Sequence, residues 1–162
     1  LPKIMLAGGG DDNSPTCRSR LCVTTWGDPV LDAFGQGFGI LSGDDIVVRL
    51  CLEVPGVTRL VFAGAIDGIL TRPPEDPEAE LLPVWTPGVH FVAEQNVAID
   101  VTGGIGLKAD RAALVAAEAN GRVRCFVVNG RHPDRVFAAC TGQGAFVGTE
   151  ITAAQTTQRQ RL

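Results

Sequence analysis

Apolar residues fall at 46, 47, 50, 51 and 54 in "DDIVVRLCLEV" and at 109, 112, 113, 116 and 117 in "LKADRAALVAAEAN". Both spacings line one face of an α-helix, so they predict helices over 44–54 and 107–120. Ser42 or Asp44 can cap the first, and Asn120-Gly121 ends the second. "HPDRVFAAC" (132–140) reads as a shorter helix with Pro133 in its first turn. Continuous apolar runs mark strands buried on both faces: "TRLVFAGA" (58–65) and "VRCFVV" (123–128). "LCVTT" (21–25) and "AFVGTEIT" (145–152) read as further strands.

Between these elements the chain is punctuated by turn residues. Residues 26–43 are Gly-rich and predict a loop with room for a small hairpin. Residues 66–85 read as loop, interrupted by Pro73, Pro74 and Pro77. Residues 86–104 are mixed and end in "DVTGG". Strand and helix alternate along most of the chain, which predicts an α/β three-layer sandwich with a largely parallel sheet. Such sheets bind ligands beyond the carboxyl ends of their strands. The loops after 58–65 and 21–25, and the loop before helix 107–120, are therefore the places to look.

Composition narrows the picture. At 162 residues the chain is one domain or part of a larger one, and it can bury a sizeable core. A net charge of -4 argues against a nucleic-acid surface. No apolar run reaches the length of a membrane span and no signal peptide is visible, so a cytoplasmic protein is expected. Cys17, Cys22, Cys51, Cys125 and Cys140 form no CxxC pair, which speaks against a zinc site and for reduced thiols. The start, "LPKIMLAGGG", runs into "DDNSPTCRSR", a polar stretch with no periodicity, and 1–21 reads as an atypical segment open to disorder. Residues 22–152 form the main unit, and 153–162 a polar tail.

Two motifs carry candidate chemistry. "TGGIGLK" (102–108) sets glycines before a helix that starts near a lysine. Glycines admit close backbone approach, a helix start is partly positive, and Lys108 adds a point charge; together they suit a phosphate. It is neither a Walker A loop nor a dinucleotide fingerprint, and a Gly-rich turn beside a solvated lysine is the plainer alternative. Asp44 and Asp45 open the first helix side by side. One is explained by the helix dipole; two could also position a metal-bound nucleotide or orient nearby lysines. His90 and His132 accompany no nucleophile motif and read as structural or surface residues.

In order along the chain, "GDPVLD…GFGILSGDDIVVRL", "VFAGAIDGILTRPPEDPEAELLP", "DVTGGIGLKADRAALVAA" and "VVNGRHPDRVFAACTGQGAFVGTEI" resemble the amino acid kinase superfamily, and its isopentenyl phosphate kinases in particular. The resemblance spans about residues 22–152. It implies transfer of the γ-phosphoryl group of ATP, with Mg2+, to isopentenyl phosphate. Carried over by position, Gly43 would contact the substrate phosphate and Asp44 would orient catalytic lysines. Gly103, Gly104 and Lys108 would hold the ATP phosphates. Ala65 and Asp67, at the end of strand 58–65, would lie beside the nucleotide; Ala65 stands where the family has an aspartate. "KIMLAGGGDD" is similar only to a strand running into a glycine loop and has no histidine. The resemblance therefore puts the substrate histidine and the lysines that Asp44 orients outside this chain. A nucleotide-binding, non-catalytic relative is the alternative, as are the superfamily's molybdenum storage proteins and fosfomycin-resistance kinases. The implied partner is a small-molecule phosphate, with no nucleic acid and no membrane; homodimerisation is left open.

Overall fold

The computed structural model describes residues 3–8, 22–25, 27–32, 37–88 and 104–153. Two central strands organise them, β5 (Val57–Gly64) and β7 (Arg124–Asn129). They pair in parallel from Arg59↔Arg124 to Gly64↔Asn129. Side chains alternate across a strand, and here both sides are apolar. Leu60, Phe62, Cys125 and Val127 join the core on one face of the sheet. Val61, Ala63, Phe126 and Val128 join a smaller cluster on the other.

Each face receives helices. α1 (Gly43–Glu53) and α2 (Gly104–Glu118) cover the larger core, where Val47, Cys51, Ala109, Ala112 and Val115 are fully buried. The alanines of α2 keep its axis close to its neighbours, so α1 and α2 pack against each other as well as on the sheet. α3 (Pro133–Thr141) covers the opposite face through Val136, Ala139 and Cys140. The expected three-layer α/β sandwich is the observed architecture.

Among the described residues the sheet has six strands in the order β2-β1-β5-β7-β8-β6. Among β5, β7, β8 (Thr149–Ile151) and β6 (Val84–Trp85), two of the three pairings are parallel. Antiparallel pairs extend the other side, where β1 (Lys3–Gly8) joins β5 and β2 (Cys22–Thr25) joins β1. Residues 3–8 of the atypical segment form β1, in a ladder position beside the central strand, and the rest of 1–21 lies outside the described residues. The Gly-rich segment does hold a hairpin, β3 (Asp28–Asp32) with β4 (Gly37–Leu41).

Boundaries shift for local reasons. Ser42, not Asp44, is the N-cap of α1; its hydroxyl accepts the Asp44 N–H at 3.3 Å. α2 starts at Gly104, three residues before the predicted start at 107, with Ile105 of its first turn already packed on the core. Asn120 and Gly121 adopt positive φ (51° and 76°) after α2, as expected of its terminator. β8 is shorter than predicted; the backbone joins the ladder only from Thr149. No helix among the described residues is long and apolar enough to cross a membrane.

The Pro-rich excursion after β5 is pinned by one buried hydroxyl. Thr149 Oγ1 accepts the Ile69 N–H at 2.8 Å and donates to the Leu82 carbonyl at 2.7 Å. Gly68 passes over the same threonine, where a Cβ would come within 2.6 Å of its hydroxyl. Thr149→Val keeps the shape but leaves a buried donor and acceptor unpaired. It should destabilise the fold by about 2–3 kcal/mol, read as a lower urea midpoint at unchanged slope.

Candidate functional site

The starts of α1 and α2 lie side by side, and their side chains interlock by charge. Lys108 Nζ donates to Asp44 Oδ2 at 3.2 Å, with only 8% and 6% of the two side chains exposed. One turn further along α2, Arg111 pairs with Asp45 at 2.8 Å, half-exposed. Residues 108 and 111 share a helix face, so the two adjacent aspartates of α1 meet two successive bases of α2. Arg111 Nε is buried without a hydrogen-bond partner.

Two earlier readings change. Lys108 is not a solvated lysine beyond a glycine turn; it is buried against a carboxylate. Asp44, whose lysine partners the resemblance puts outside this chain, here meets Lys108. Asp45 is an interhelix ion-pair partner as well as a first-turn acid. Sequence spacing could not reveal either pair, since the partners sit on different helices far apart in the chain.

The geometry fits an anion. An ammonium has three donors and Asp44 takes one here. Gly104 and Gly106 add no side chain to the first turn of α2, and a Cβ on Gly106 would meet nothing within 4 Å. Helix N-termini present unpaired N–H groups and partial positive charge. Gly43 is the buried first residue of α1, so a second helix start shares the place. Gly103 and His90 lie outside the described residues.

A second polar cluster forms at the carboxyl ends of β5 and β7. Asp67 accepts from Asn129 Nδ2 at 2.8 Å and from Arg135 Nη1 at 2.7 Å. Asn129 Oδ1 in turn accepts the Arg131 N–H at 3.0 Å. The Asn129 hydrogen bond, with Arg135 assisting, holds the Asp67 carboxyl below its usual pKa against the opposing effect of burial. A lowered carboxyl pKa stabilises the fold above the ordinary carboxylate range, and that contribution is lost as pH falls through the lowered value. The cluster ties the loop after β5 to α3. Ala65 beside it is exposed, and His132 is the N-cap of α3 without a side-chain cap bond. Asn129 and Arg135 were missed from sequence; the available signal was a polar residue ending a buried apolar run. No cluster of three or more metal-binding side chains occurs among the described residues.

Removing either member of the Asp44–Lys108 pair strands a buried charge. Asp44→Leu and Lys108→Met should each cost about 3–5 kcal/mol, and the double variant should recover much of that. Asp45→Ala should cost about 0–1 kcal/mol, because its pair is half-exposed. Urea unfolding of the four variants checks all three statements.

No protein-family model matches the chain, and no curated protein matches it by sequence. Solved structures do. It is similar to an isopentenyl phosphate kinase product complex from T. acidophilum at 28% identity and TM-score 0.53, over 78% of this chain and 45% of that one. An isopentenyl phosphate kinase substrate complex matches at 27% identity and TM-score 0.54, over 78% of this chain and 46% of that one. A third isopentenyl phosphate kinase structure matches at 27% and 0.54, over 77% and 43%. The chain thus spans less than half the length of these structures, and over that part its fold is the isopentenyl phosphate kinase fold.

Proposed function

We propose that this chain is the nucleotide-side part of a phosphotransferase that moves the γ-phosphoryl group of ATP to isopentenyl phosphate, giving isopentenyl diphosphate. The observation that carries the reading is the buried Asp44–Lys108 pair at two adjoining helix starts. Similarity to isopentenyl phosphate kinase structures supports the kinase class and the choice of acceptor.

Phosphoryl transfer asks a protein for positioning and charge neutralisation more than for covalent chemistry. ATP supplies the transferred group. Lys108 neutralises phosphate charge, and Asp44 fixes the ammonium in place so that little reorganisation accompanies transfer. Gly103, Gly104 and Gly106 let backbone N–H groups approach the nucleotide phosphates, while Gly43 offers its N–H to the acceptor phosphate. The segment Gly64 to Asp67, including Ala65, borders the nucleotide, with Asp67 holding its shape through Asn129 and Arg135.

Among the described residues no group of side chains forms a ligand set for Mg2+. Asp44, Asp45 and Asp67 are each engaged by a cation or an amide, so no step is assigned through the ion, which nucleotide phosphates can hold by themselves. A second reading, nucleotide binding without turnover, needs only the two helix starts and the Asp44–Lys108 pair.

Purified chain with Mg-ATP and isopentenyl phosphate should yield isopentenyl diphosphate, followed by phosphorus NMR. ATP binding without product would overturn the kinase reading for this chain and leave the binding one. Lys108→Ala should weaken ATP binding or turnover by about 2–3 kcal/mol, as expected for a charge-assisted contact. Unchanged affinity and turnover in a folded variant would remove Lys108 from the site.

A further inference from the structure

Two cysteines distant in sequence come together on the α3 face of the sheet. Cys22 starts β2 and stands opposite Ala7 of β1, which stands opposite Arg59 of β5. Residues directly opposite in a ladder share a face, so Cys22 lies on the face of Arg59. That face carries the last turn of α3: Arg59 Nη1 donates to the Ala139 carbonyl at 3.0 Å. Cys140 follows Ala139 in that turn, and Cys22 is the neighbouring thiol that acts on it. Cys22 is exposed and Cys140 half-buried, both as free thiols. The other described cysteines, Cys51 and Cys125, are fully buried in the core of the opposite face.

We propose that Cys22 and Cys140 are a redox-responsive dithiol, which closes to a disulfide between β2 and α3 on exchange with a low-molecular-weight disulfide. Cys22, exposed, attacks one sulfur of the small disulfide and releases its first thiol. Cys140 then attacks the Cys22 sulfur and releases the second. Two cysteine thiols are oxidised, one external disulfide is reduced, and the two cysteine protons leave on the released thiols. The order of attack follows from environment. Burial, and then the neighbouring Cys22, push the Cys140 thiol up to about 12 with Arg59 opposing, so Cys140 suits the resolving role.

The bond would join two parts held differently. β2 is an edge strand whose ladder contact is with β1 alone, whereas α3 packs across β1, β5 and β7. A staple there fixes the edge hairpin to the body of the domain.

The test uses the intact chain treated with glutathione disulfide, quenched in acid, alkylated in denaturant and mapped by mass spectrometry. Expected are loss of two hydrogen atoms without an adduct, a peptide linking Cys22 to Cys140, and reversal by dithiothreitol. Cys17→Ser should keep the link. Cys140→Ser should instead accumulate a mixed disulfide on Cys22. The oxidised chain should melt above the reduced chain, and Cys140→Ser should show no such rise. A stable glutathione adduct on Cys22 of the unsubstituted chain, a Cys17–Cys22 link, or unchanged thiol reactivity would each overturn the proposal.

Discussion

The Asp44–Lys108 ion pair is the constraint around which this domain is arranged. Two helix starts, each partly positive, are brought together, and an ammonium is buried beside them. A cation near a helix N-terminus works against the helix dipole, and α2 has no acidic residue in its own first turn to offset it. The offset comes from α1, whose Asp44 and Asp45 face Lys108 and Arg111. Burying ions is costly even when paired. The side-chain charges cancel pair by pair, so the partial positive charges of the two helix starts are what remains for the proposed phosphate site.

The packing below the pair makes it geometrically available. Val47 and Cys51 of α1 and Ala109 and Ala112 of α2 are fully buried on the same face of β5 and β7. Small side chains on α2 set the helix separation that lets a lysine reach the first turn of α1. A larger residue at 109 or 112 would move α2 outward and lengthen the ion pair. The core and the site are in this sense one object: the alanine stripe that reads as ordinary amphipathicity also fixes the position of the ammonium.

Much of this was legible in the sequence because much of it is periodic. Apolar spacing located α1, α2, β5 and β7, and Ser42 and Asn120-Gly121 marked helix ends through local chemistry. Asp44 and Lys108 stood out separately, as acids opening a helix and a lysine after glycines. Their contact did not, because pairing between helices depends on packing that no local pattern encodes; the family resemblance even placed the partners of Asp44 elsewhere. β1 was legible only as the likeness of "KIMLAGGGDD" to a strand, for a similar reason. Its six residues lie in a stretch without period, and only the ladder with β5 makes them a strand. β6 is two residues long and depends on β8 in the same way.

The two faces of the sheet are held by different means, which bears on how the domain can respond. Beneath α1 and α2 the core is broad and apolar. Beneath α3 the cluster is small, and polar contacts anchor the helix at both ends. Arg135 and the Asn129 turn bind its start to Asp67, while Arg59 binds its last turn at Ala139. Arg59 also stacks over Phe126, 5.4 Å from the ring centroid, joining that anchor to the apolar cluster. Polar anchors are worth less in water than an equal area of buried hydrocarbon and are sensitive to the state of their neighbours. Of the three helices among the described residues, α3 is thus the one whose position a chemical change at its end can influence, and its start is bonded to the loop that borders the proposed nucleotide site. A change at Cys140 and a change at Asp67 act on opposite ends of one short helix, so whatever shifts the first has a direct mechanical route to the second.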